Sequence, residues 1–157
     1  MKKSHIIAAV CLILVAVLSL VYLFVFDKEE AKEVVKVVKI SGVKEGTSEG
    51  VKTNDISFEN TSISIKVALE HPGANISYVV TIKNEKANDV TLKTITGIEA
   101  ANNNDPQELI YEVSDIDVGD VIKAGESKDV TIKALWKDTE STLGEVTKDT
   151  TITFTFE

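Results

Sequence analysis

One cysteine, one tryptophan, two prolines and two histidines are all that 157 residues contain of these types, and arginine is absent: every basic side chain is lysine. Each scarcity excludes something. Cys11 lies inside an apolar run, with Val10 rather than a small lipoprotein-type residue before it, so it reads as a buried membrane thiol. No other residue can supply a disulfide, a thiolate metal ligand or a cysteine nucleophile. His5 borders the same run and His71 precedes Pro72 in a turn, which leaves neither a metal partner nor a triad partner. The stretch GVKEGTSEG, residues 42–50, lacks the Lys-Ser/Thr and the following apolar helix of a phosphate-cradling loop. Lysines number 17 against 25 acidic groups, for a net charge of -8. That balance argues against nucleic acid or anionic lipid as a ligand, since both require basic patches.

What is present begins at residues 6–26, IIAAVCLILVAVLSLVYLFVF, which are 21 in a row without charge, proline or glycine. About 20 apolar residues in a helix cross the hydrocarbon of a bilayer. A cleaved signal has an apolar core of roughly 7 to 15 residues ending in small residues, whereas Tyr22 to Phe26 are bulky. The sequence therefore predicts a transmembrane anchor over 6–26. Lys2 and Lys3 place residues 1–5 on the cytoplasmic side. Residues 27–33, DKEEAKE, read as a charged linker, and 34–157 as an extracellular domain. Setting Lys2 and Lys3 aside leaves 15 lysines against 25 acidic groups, so the exported part carries about -10. Without disulfides such a domain depends on its core, a habit that points to a Gram-positive cell surface.

From residue 34 the apolar period is two, the period of half-buried strands. Residues 34–41 are rich in valine. Ile63, Ile65, Val67 and Leu69 alternate with Ser62, Ser64 and Lys66. Tyr78, Val80 and Ile82 share one face, Val90 and Leu92 start another strand, and the phase breaks at Ile95, as at a bulge. Leu109, Tyr111 and Val113, then Val130, Ile132, Ala134 and Trp136, then Ile152, Phe154 and Phe156 complete the set. No helical period is sustained beyond residue 40. About seven strands with turn signals between them predict an all-β, antiparallel, immunoglobulin-like sandwich, with a closed barrel as the alternative. His71-Pro72-Gly73 before one strand and Asn84 after it are turn chemistry.

Three segments carry a family resemblance: HPGANISYVVTIKN (71–84), NDVTL (88–92) and IKAGESKDVTIKAL (122–135). With Pro72, Gly73, Tyr78, Asn84, Ala124, Gly125 and the strand from Val130, the chain over 56–157 resembles Ig-like β-sandwich modules of exported Firmicutes surface proteins. It is distantly similar to camelysin and TasA-like matrix proteins. The resemblance implies a cell-surface sandwich. It implies no particular activity, and the matrix proteins differ in carrying a cleavable signal.

Asp115, Asp117 and Asp120, in the run DIDVGD, are the candidate metal ligands: alternate carboxylates on a turn offer oxygens to calcium, although the spacing and distal Glu of an EF-hand are missing. The bland alternative is a solvated acidic turn with Ile116, Val118 and Val121 pointing inward. Titratable groups are scattered, with no pair spaced to shift a pKa for acid-base work, so a non-catalytic protein is expected. Recognition of a cell-surface protein or a cell-wall component is expected on the long loops 42–50, 100–106 and 137–148. Lys36 and Lys39 on the first strand read as edge protection, which favours a discrete binding, adhesion or spacer module. The competing role is a cleaved, secreted matrix or fibre subunit. The anchor is tested directly: the protein should fractionate with membranes, and external protease should release a fragment beginning between Asp27 and Lys32. Intact chain in the culture medium contradicts it.

Overall fold

A computed structural model describes residues 36–138 and 144–157. The expected anchor over 6–26 and linker 27–33 lie outside the described residues. Nine strands form two antiparallel sheets, where the sequence suggested about seven. They are β1 (Val38–Glu49), β2 (Val51–Glu59), β3 (Ser62–Leu69), β4 (Asn75–Asn84), β5 (Val90–Thr96), β6 (Leu109–Ser114), β7 (Val121–Ile122), β8 (Ser127–Trp136) and β9 (Val146–Phe156). One short helix, α1 (Ile98–Asn103), lies between β5 and β6. The first sheet has the order β1-β4-β8-β6 and the second β2-β3-β9-β5-β7. The architecture is a β-sandwich.

The core follows from alternation. Ile76, Tyr78, Val80 and Ile82 of β4 and Val130, Ile132, Ala134 and Trp136 of β8 point in from the first sheet. Ile63, Ile65, Val67 and Leu69 of β3 and Ile152 and Phe154 of β9 meet them from the second. All of these are buried. A one-residue slip in any of these strands would turn its apolar set to solvent, so burial fixes each register. The phase break expected at Ile95 is a register shift between Leu92 and Thr94.

The sequence reading needs correction in three places. Residues 42–49 belong to β1 and are not a loop: the strand runs on to Glu49 by absorbing its glycines in register shifts between Ile40 and Gly42 and between Glu45 and Ser48. The segment 51–59 is a strand that the sequence hid, because its exposed edge shows only Val51, Ile56 and Phe58 as apolar signal. Residues 98–103 are helical, a single element too short to display a period.

Among the described strands only β2 and β3 are joined as a hairpin within one sheet; each other pair of consecutive strands lies in different sheets. The corners between sheets need special backbone. Gly50 has φ 61° where β1 passes into β2, and a side chain there would collide with the His71 ring and Ala74 Cβ. Gly97 has φ 97°, and a Cβ would strike the Thr151 carbonyl. At the end of β4 the work falls to Asn84, fully buried. Its Nδ2 donates to the carbonyls of Asn88 and Ile122, both at 3.0 Å, and its Oδ1 accepts from Lys86 N at 3.0 Å. That single amide closes the 85–89 corner and pins it to β7.

Two buried donors, Tyr78 Oη and Trp136 Nε1, have no hydrogen-bond partner among the described residues. Burial, with a smaller contribution from Glu45, pushes the Tyr78 phenol up to about 12. The two aromatics should respond differently to truncation. Trp136→Ala, which empties a fully buried site, should cost roughly 3 to 5 kcal/mol. Tyr78→Phe keeps the packing and removes an orphan hydroxyl, so it should be neutral or stabilising by up to ~1 kcal/mol. Urea unfolding of both variants checks the pair; a clear loss in Tyr78→Phe would mean that the hydroxyl is satisfied.

Candidate functional site

The period that fills the core also builds the outer side of the five-stranded sheet. Between the inward residues of β2, β3 and β9 stand serine, threonine and charged residues, and antiparallel pairing aligns them in rungs across the strands. Asp55, Lys66 and Asp149 form one rung, and Ser57, Ser64 and Thr151 the next. Glu59, Ser62 and Thr153 form a third, continued by Thr96 on β5. Ser62 Oγ lies 2.8 Å from Thr153 Oγ1 and Ser64 Oγ 2.9 Å from Thr151 Oγ1. These cross-strand hydroxyl pairs hold each other in place.

Two shallow grooves cross the rungs. One, of about 400 Å³, is lined by Ser57, Phe58, Glu59, Ser62, Ser64 and Thr151. The other, of about 180 Å³, adds Asp55, Lys66 and Asp149. Phe58 is 46% exposed at the rim, the largest apolar group offered to solvent there. Chemically the face presents hydroxyls and carboxylates on both sides of one ammonium, while Phe58, paired with the inward Ile63, lies on the other side of β2 at its exposed edge. The face can exchange hydrogen bonds with a polyhydroxylated or amide-bearing polymer. Among the described residues the recorded side-chain partners of the groove hydroxyls Ser62, Ser64 and Thr151 are other hydroxyls.

The acidic turn lies elsewhere, between β6 and β7. Asp120 Oδ2 accepts from Asp117 N at 3.1 Å and stands 3.9 Å from Lys128 Nζ, and Asp120 N donates to Asp117 O at 3.0 Å. Asp115 takes φ 70° and its Oδ2 accepts from Ser114 Oγ at 3.3 Å. The Asp115 and Asp120 carboxylates are thus engaged locally, and Asp117 enters the turn through its backbone. Among the described residues no group of three or more His, Cys, Asp or Glu side chains is arranged to hold a metal ion. Ile116 does point inward, as the bland alternative had it, while Val118 and Val121 are exposed, against it. His71 Nδ1 lies 2.9 Å from the Pro72 carbonyl and is part of a sheet-to-sheet corner.

Of the three expected recognition loops, 42–50 is the exposed half of β1 with Gly50, and 100–106 is largely the end of α1. Within the third, Val146 to Lys148 already belong to β9, and 139–143 lie outside the described residues.

Lys148 went unnoticed in the sequence, although its inward parity between Val146 and Ile152 marks it. Only 5% exposed, it donates from Nζ to the carbonyls of Pro106 at 2.8 Å and Leu109 at 2.7 Å. Its own carbonyl accepts from Tyr111 Oη at 2.9 Å, so this residue ties the sheets at one end. Burial pulls the Lys148 ammonium below its ordinary value, partly countered by Asp105. Tyr111 is pushed up, chiefly by burial.

No family model, no curated protein and no solved structure matches this chain.

The lowered lysine has a signed consequence. Between its folded-state pKa and the ordinary 10.5, the unfolded chain binds more protons than the folded one, so raising pH through that window favours folding. The stability of the wild type relative to Lys148→Met should therefore grow as pH rises from neutral toward 10.5. A flat difference would show an ammonium in full contact with water.

Proposed function

We propose that the protein is a membrane-anchored, extracellular, immunoglobulin-like module that binds, adheres or spaces at a bacterial cell surface without catalysis. The observation that carries this reading is the outer face of β2, β3 and β9. Its paired hydroxyls and grooves form a firm, flat, hydrophilic surface of the kind that meets a polymer along its length. The apolar run 6–26 and the acidic balance of the remainder support the location. The partner is a cell-wall component or another surface protein, and neither nucleic acid nor a cofactor is part of the reading.

Full-length protein solubilised in detergent should sediment with isolated cell-wall sacculi. Ser62→Glu combined with Ser64→Glu, two changes at outward positions, should weaken that binding about tenfold by placing charge beside Glu59 in the groove. Retention of wild-type binding by this variant would remove the face from the reading. Spontaneous filaments of cleaved protein in the medium would favour the secreted matrix-subunit role.

A further inference from the structure

A sheet edge is an open row of backbone donors and acceptors that natural proteins usually blunt. This sandwich has four such edges, β1, β6, β2 and β7, and three carry a recognisable block. On β1 there are two register shifts, together with Lys39, held 3.0 Å from Glu85, and Lys44. On β6, Asn102 of α1 plugs the edge: its Oδ1 accepts from Tyr111 N at 2.7 Å and its Nδ2 donates to Tyr111 O at 2.9 Å. β7 is only two residues long. β2 differs. From Thr53 to Glu59 it pairs with β3 residue by residue without a shift. Among the described residues, no hydrogen bond reaches the backbone of Thr53–Glu59 from its outer side. Six of those seven residues are exposed and Ile56 is half-buried.

We propose that the β2 edge docks a second copy of this chain, antiparallel, about a twofold axis at Ile56. The sequence of the edge selects the occupant. In that register Ile56 faces Ile56 of the second copy, Asn54 faces Phe58, Asp55 faces Ser57 and Thr53 faces Glu59. No like charges meet, and the exposed ring of Phe58 gains cover. Centring the axis on Asp55 opposes Asp55 to itself, and centring it on Ser57 opposes Asp55 to Glu59. Like charges directly opposite each other destabilise a strand pair, so the Ile56 register is the favoured one of the three. The contact joins two five-stranded sheets into one of ten strands and, being isologous, closes on itself. It depends on neither the location nor the role proposed above.

Sedimentation velocity of the full-length chain in detergent, up to about 1 mM, the range of small weak interfaces, tests it. The wild type should form dimers. Ser57→Asp, at an exposed position, sets the introduced carboxylate of each copy against Asp55 of the other and should raise the dimerisation midpoint roughly tenfold. Combining Asp55→Ser with Ser57→Asp removes both clashes and should restore the wild-type midpoint. That recovery also shows that the single variant had not simply unfolded. A chain that stays monomeric throughout, a Ser57→Asp variant that dimerises as before, or a double variant that fails to recover overturns the proposal.

Discussion

The fold depends on one constraint: among the described strands, every consecutive pair but one lies in different sheets. Strands that hydrogen-bond to each other are consequently distant in sequence, as β1 is from β4 and β3 from β9. Tight hairpins cannot set their registers. Each strand has to turn its apolar side to the middle on its own account, and each corner has to deliver the next strand at the right height. The first requirement is met by strict alternation, seen most clearly in β4, where buried and half-buried residues alternate over all ten positions. The second is met by a few backbone-specific residues: Gly50, Gly97 and the buried amide of Asn84.

How far this could be read from the sequence follows from the same physics. β3, β4 and β8 bury one side fully, so their period was plain, and the bulge near Ile95 appeared as a lost phase. Pro72, Gly73 and Asn84 were legible as corners because their chemistry is local. β2 was not, since an edge strand with exposed flanks owes its conformation to β3 and carries little pattern of its own. The far half of β1 looked like a loop for a related reason: Gly42 and Gly46 are bulge residues, and bulges are defined by the partner strand. Of the site, the outward Ser and Thr positions on β3 and β9 could be named in advance. Their alignment into rungs could not, because it requires knowing that β9 inserts between β3 and β5.

Lys148 and Asn84 show how this sandwich admits polar groups to its interior. Neither sits among apolar side chains alone. Each spends its donors on backbone carbonyls at the ends of the sheets, where the strands leave acceptors unmatched. Polar burial here closes the open ends of the sandwich, and the middle stays apolar. The outer rungs and the β2 edge meet at Ser57, which belongs to both, so occupancy of one surface bears on access to the other.

The position of β9 has a consequence for biosynthesis. It is the middle strand of the five-stranded sheet, between β3 and β5, yet the ribosome makes it after the other eight described strands. Until it arrives, β3 and β5 cannot be joined, and each has an edge without its hydrogen-bonding partner. The growing chain cannot settle its second sheet in stages. Ordering is deferred to a late, highly non-local event, which the dependence of folding rate on contact order makes slow. During that interval the nascent chain carries two strands with unpaired edges, and it is then that it most needs protection from aggregation.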